Sequence, residues 1–83
     1  MFYVYVLQSQ KDQNLYIGYT KNLRKRVRQH EQGRVKSTKR RVPLKLVYYE
    51  AYRIREDATK REYELKKGKW REILRERLKQ SLS

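Results

Sequence analysis

The stretch Tyr16-Ile17-Gly18-Tyr19-Thr20-Lys21-Asn22-Leu23-Arg24-Lys25-Arg26-Val27-Arg28-Gln29-His30 leaves this chain few ways to fold. It begins with the β-branched and aromatic residues of a strand and becomes helical at Thr20 to Asn22. Side-chain oxygens there can satisfy the free amides of a first helical turn. On that helix Leu23 and Val27 lie four apart, and His30 follows three later on the same face. Arg26, three after Leu23, shares that stripe or borders it. A guanidinium on an inward stripe is costly unless an anion meets it. Lys21, Arg24, Lys25 and Arg28 can point to water. Arg26 and His30 therefore read as inward-facing groups at a site that receives phosphate.

Charge agrees with that reading. The 83 residues carry a formal net charge of +14, from 23 Lys and Arg against nine acids. The excess is concentrated: residues 21–41 hold ten basic residues and one acid, Glu31. A one-sided field of this kind calls for a polyanion, nucleic acid first, because phosphate neutralisation releases counterions. An acidic membrane fits less well, since no long amphipathic helix pairs a basic face with bulky apolar residues. Cysteine is absent, which removes disulfides and thiolate metal sites and permits a reducing, cytoplasmic setting. No signal peptide, linker, repeat or membrane-length run is visible, so the expectation is one domain over residues 1–83.

Residues 2–8 read as a strand, with Phe2, Val4 and Val6 on one face and Tyr3, Tyr5 and Leu7 on the other. The polar segment 9–14 turns the chain into a second strand at Leu15–Tyr19, giving an antiparallel hairpin. Gly18 inside that strand predicts a bulge or the close approach of another group. The first helix runs to about Glu31 and stops near Gly33. Residues 34–42 lack periodicity and read either as a solvated loop or as a phosphate-contacting one. Pro43 opens a third strand over residues 44–52. A second helix follows, with Asp57 as the expected N-cap. A third begins near Lys69-Trp70, its stripe of Trp70, Ile73, Leu74, Arg77 and Leu78 expected in the core.

The second helix repeats the oddity of the first. Ala58, Glu62 and Leu65 fall at i, i+4 and i+7, which sets Glu62 on the inward stripe. Such a carboxylate pairs with a buried base or binds a cation, and spacing alone favours an ion pair, with Arg26 as a partner. The polar groups pointing inward are then Tyr5, Tyr16, Arg26, His30 and Glu62. One His without Cys nearly excludes structural zinc, whereas a lone inward Glu suits Mg²⁺ or a similar hard cation that takes one or two carboxylates. Beside an Arg, such an ion would stabilise charge on a phosphoryl group. A surrounding field of cations would favour the tyrosine phenolate. The bland alternative is that strand tyrosines pack and a helix-terminal His caps.

Tyr3-Val4-Tyr5, then Tyr16-Ile17-Gly18 eleven residues after Tyr5, resembles the GIY-YIG endonuclease family. Arg26, His30 and the run Ala58-x-x-x-Glu62-x-x-Leu65-Lys66 continue the pattern in order, so the resemblance covers nearly the whole chain. It looks most like small stand-alone members similar to the N-terminal domain of the excinuclease C subunit. The resemblance implies an α+β fold, a three-stranded antiparallel sheet flanked by about three helices. It also implies a metal-dependent endonuclease acting on DNA, with a link to DNA repair or recombination. Glu62 would ligate Mg²⁺ or Mn²⁺, Arg26 would contact the scissile phosphate, and a tyrosine (Tyr5 or Tyr16) or His30 would assist the water. Two departures stand out. The first triplet has Tyr3 and Val4 where the family has Gly and Ile, and no Asn occurs beyond Asn22, where the family often carries one after the Glu helix.

Tyr19, Lys21, Arg24, Lys25, Lys36, Lys39, Arg40 and Arg41 are the expected nucleic-acid contacts, with DNA the first candidate, and the chain is expected to be a monomer or weak dimer. Larger relatives carry a separate targeting module, so charge alone or a protein partner would supply the address. Two rival readings remain: a nucleic-acid-binding module without turnover, and a small scaffold whose basic face docks an acidic protein.

Overall fold

The computed structural model describes residues 1–82. In chain order the elements are β1 (Phe2–Ser9), β2 (Leu15–Thr20), α1 (Leu23–Glu31), β3 (Leu44–Tyr52), α2 (Arg55–Leu65) and α3 (Trp70–Arg77). The strands form one antiparallel sheet in the order β2-β1-β3, as the α+β reading requires. Tyr5, at the middle of the central strand, stands between Gly18 of β2 and Tyr49 of β3.

Alternation along β1 divides the core between the two faces of the sheet. Val4 and Val6 pack with Leu15 and Ile17 against Ala58 and Leu65 of α2 and Leu74 of α3. Tyr5 and Leu7 pack with Leu44 against Leu23 and Val27 of α1. Helices thus cover both faces, and each fully buried aliphatic side chain contributes about 1.5–3 kcal/mol. Among the described residues no helix is long and apolar enough to cross a membrane.

The start of α1 follows the sequence closely. Asn22 is its N-cap, accepting from the Lys25 amide at 3.1 Å, and the chain leaves the helix through Gly33 at φ +72°. Two expectations on the other face need correction. α2 starts at Arg55 behind Ile54, so Asp57 is no cap but lies with Glu56 in the first turn, where both acids face the positive helix end. In α3 only Leu74 and Leu78 of the expected stripe are buried and Trp70 is half-buried. Ile73 and Arg77 are exposed, because a short helix on the flank of the sheet meets it along a narrow i, i+4, i+8 seam.

Glu50 of β3 fixes how α2 sits. Its carboxylate accepts from the hydroxyls of Tyr48 and Tyr52 and from Arg61 at 2.9 and 3.2 Å. The Arg61 guanidinium lies over the Trp70 ring, 4.9 Å from its centroid. Burial works against the Glu50 charge, yet the bonds from Arg61, Tyr48 and Tyr52 outweigh it and hold the carboxyl below its usual range.

The close approach expected at Gly18 is real. A Cβ there would sit 2.5 Å from Cζ of Tyr5, well inside any tolerated contact. Gly18→Ala should therefore cost about 1–3 kcal/mol through overpacking. In thermal melts that is a fall of roughly 4–8 °C per kcal/mol for a domain of this size. The loss should be much smaller in a Tyr5→Ala background, and equal losses in both backgrounds would show that the ring does not press on Gly18.

Candidate active site

Gly18 has no side chain, so the Tyr5 ring can cross β2 toward the edge of the sheet. There the Tyr5 hydroxyl and Nε2 of His30 are hydrogen-bonded at 2.8 Å, both residues being fully buried. The Tyr16 ring lies 5.1 Å from the His30 ring and 6.4 Å from that of Tyr5, centroid to centroid. Two strands and one helix thus bring two phenol rings together around one imidazole.

The other imidazole nitrogen, Nδ1, is 2.7 Å from the hydroxyl of Thr38, itself fully buried. Ser37 donates from its hydroxyl to that of Tyr16 at 3.3 Å. Residues 34–42 are therefore more than a solvated loop. Val35 and Thr38 are buried, while Lys36, Lys39 and Arg40 stay in water. Sequence reasoning passed over Ser37 and Thr38; the signal was a pair of short hydroxyl residues inside an otherwise basic run.

Arg26 is half-buried and donates to the Gln29 side chain at 3.2 Å. Its charge reaches both members of the central pair. Burial pushes the Tyr5 phenol up to about 12, and the Arg26 guanidinium only partly opposes this. The expected phenolate is thereby corrected: in this protein Tyr5 is a neutral phenol, because desolvation outweighs the cation. Burial, then the positive charge of Arg26, pushes His30 down to about 4, so the imidazole is neutral too.

Glu62 approaches from α2 on the far side of the sheet, near enough for its charge to disfavour ionisation of Tyr5. It does not pair with Arg26. Its carboxylate instead meets Lys66 at 2.9 Å, one helical turn on, and the Glu62 side chain keeps 23% of its exposure. Among the described residues no group of three His, Cys, Asp or Glu could hold a metal ion. One partly exposed carboxylate whose partner is a half-exposed lysine still suits a hard, hydrated cation that completes its shell with water and phosphate.

The expected nucleic-acid contacts fall in three places. Tyr19, Lys21 and Lys25 line a groove of about 420 Å³ with Arg26, and Tyr19 stacks on Phe2. Arg24 faces a second groove, on the other side of α1. Arg41, paired with Asp12 at 3.6 Å, lines a third groove beside Tyr16 with Arg71 and Arg75, two residues that sequence reasoning did not single out.

With the geometry in place, similarity to known proteins gives it a class. The chain belongs to the GIY-YIG catalytic domain family, a nuclease family, whose profile matches residues 1–72. It is 47% identical over 68 residues to the UPF0213 protein CPE1444 of Clostridium perfringens, covering 81% of this chain and 72% of that protein. It is 45% identical over 65 residues to the UPF0213 protein SSP2268 of Staphylococcus saprophyticus, covering 77% and 78%. The solution NMR structure of the UPF0213 protein BH0048 from Bacillus halodurans superposes with a TM-score of 0.57 at 36% identity, over 89% of this chain and 82% of that one.

The depressed pKa of His30 makes a prediction about stability. Unfolded, the imidazole titrates near 6.5; folded, near 4. Between those values the unfolded state binds more protons, so stability falls as pH drops from 6.5 toward 4, by about 3 kcal/mol in total. Urea midpoints should decline from pH 6.5 to 5, above the range of the carboxylates. His30→Gln should flatten that decline, and an unchanged slope in the variant would place the titration elsewhere.

Proposed function

We propose that this protein hydrolyses phosphodiester bonds in DNA, and that Tyr5, Tyr16, Arg26, His30 and Glu62 carry the reaction. The observation behind this reading is the 2.8 Å bond between two buried neutral groups, Tyr5 and His30, within the field of Arg26. A merely structural pair would need no guanidinium beside it.

The scissile phosphate sits against Arg26, whose charge offsets the negative charge that develops on the phosphoryl oxygens. A water held by the Tyr5 and Tyr16 hydroxyls is aimed at phosphorus. As its oxygen bonds to phosphorus and the bond from phosphorus to the leaving oxygen breaks, its proton passes to Tyr5. The phenol proton of Tyr5 passes to Nε2 of His30, and the departing alkoxide takes a proton from solvent. The relay uses the tautomer in which Nδ1–H donates to the Thr38 hydroxyl, which leaves Nε2 as the acceptor. The phosphate also offsets the lesser of the two causes that hold His30 uncharged, since it neutralises Arg26 and so raises the basicity of the still-buried imidazole. Glu62 would hold Mg²⁺ or Mn²⁺, the divalent ion that nucleases of this family generally use and which, when bound, supplies Lewis-acid stabilisation to the leaving oxygen. Lys66, half-exposed, would have to give up its 2.9 Å ion pair with Glu62 for that ion.

The surroundings suit a polyanion. The first turn of α1 has no acid, and Lys21, Arg24, Lys25 and Arg26 crowd the positive end of the helix dipole. That arrangement is unfavourable until an anion arrives. Lys21 and Lys25 would take phosphates beside the one on Arg26, and Lys36, Lys39, Arg40 and Arg41 others along the strand. A place in DNA repair or recombination and a targeting partner fit the family resemblance.

A non-catalytic binding module is the second reading, favoured by the Glu62–Lys66 ion pair, which occupies the carboxylate that a metal needs. Supercoiled plasmid separates the two. With Mg²⁺ or Mn²⁺ the wild type should nick it. Arg26→Ala and Glu62→Ala should each lose on the order of 10²–10³-fold in rate, the cost of removing one electrostatic stabiliser. Salt-dependent DNA binding should survive Glu62→Ala. Absence of nicking with either metal would leave the binding module standing, and nicking unchanged in Glu62→Ala would remove Glu62 and its metal from the reaction.

A further inference from the structure

A second concavity lies away from the Tyr5–His30 pair. It is a groove of about 560 Å³ on the α1 face of the sheet, between α1 and β3. Its floor is Tyr3, Leu46 and Tyr49, with Leu23 and Val27 as one wall. Tyr49 keeps 52% of its exposure and Leu46 36%, a large price in uncovered apolar surface for so small a core. The Tyr3 and Tyr49 rings meet edge to face at 6.2 Å, so one ring face stays open. Lys21, Arg24 and Arg28 line the same groove, against a single acid, Glu31.

We propose that this groove binds an unpaired nucleotide of the nucleic-acid strand that crosses Arg26, its base stacked on Tyr49 and its phosphates on Arg24 and Arg28. Aromatic rings set among cations are the surface on which single-stranded nucleic acid docks, because every base has a π-face and every linkage a phosphate. A base within a duplex has no face to offer, so the groove selects for an unpaired segment next to the cut. The path is continuous. Lys21 and Asn22, at the N-terminus of α1, line both this groove and the one that holds Arg26. A strand leaving Arg26 therefore rounds the positive end of the helix and enters the groove. A second copy of the chain is the wrong occupant, because it would set one +14 charge against another.

The proposal rests on the nuclease reading for the strand across Arg26, but its test needs no turnover. Anisotropy titrations without metal compare a labelled oligothymidylate with a duplex of the same length. Tyr49→Ala should weaken oligothymidylate binding roughly five- to tenfold and duplex binding under about twofold. Tyr49→Trp should restore the single-strand affinity, and circular dichroism should match the wild type in both variants. Equal losses on both probes, no loss on either, or no rescue by Trp would overturn the groove. So would polyglutamate that binds as tightly as oligothymidylate and is lost in Tyr49→Ala, since the groove would then belong to an acidic protein. Plasmid nicking by a protein whose oligothymidylate affinity ignores Tyr49 would sink this proposal and keep the nuclease. A Tyr49-dependent preference for single strands without nicking would do the reverse.

Discussion

The contact between Tyr5 and His30 is the constraint that the rest of the site depends on. It joins the middle of the central strand to the last turn of α1, and it exists because β2 has no side chain at Gly18. Any Cβ at that position would push the phenol off the imidazole. Thr38 holds the imidazole from behind, which ties the basic loop to the helix and makes it part of the fold. One missing methyl group on an edge strand thus fixes a ring, a helix end and a loop at once.

Electrostatics explains why the pair can be both buried and useful. Desolvation raises Tyr5 and lowers His30, so each is held in its neutral form. Arg26 acts on the two in opposite senses, favouring the ionised phenol and opposing the imidazolium. Under the proposed function, an arriving phosphate would cancel that influence and favour protonation at His30. Glu50 and Arg61, on the opposite face, do the contrary work. Their charges are satisfied within the protein, and they hold α2, which carries Glu62, in register with the sheet.

Much of this was legible in the order of residues. The strand runs, the capped start of α1 and the glycine stop come from local chemistry, and local chemistry is what a sequence records. Arg26 and His30 announced themselves because each broke an apolar stripe, and Gly18 because it interrupted a strand. Thr38 was invisible for the opposite reason: in a run of Arg and Lys, a small hydroxyl residue breaks no pattern, and only the return of the loop over α1 buries it. Glu62 was placed on the right face but given the wrong partner. Distance along one helix, which offers Lys66 a turn away, outweighed a pairing across the sheet. The ionisation of Tyr5 was misjudged because composition shows the cations but not the depth at which the phenol lies.

α1 carries the consequence furthest. Four of its nine residues are cationic, its first turn has no acid, and only His30 is buried. Most of its residues are good helix formers, but its N-terminal dipole is uncompensated and nine residues are too few to hold a helix alone, so packing through Leu23, Val27 and His30 keeps it formed. Its charges divide around the helix axis: Arg26 and Lys25 line one groove, Arg24 and Arg28 the other, with Lys21 shared at the N-terminal end. A helix selected only for stability would place acids in that first turn. One selected to hold a polyanion on both flanks would keep them out, accept the repulsion, and leave the offsetting charge to the ligand. α1 has no acid in its first turn, which is the arrangement that the proposed polyanion contacts would require.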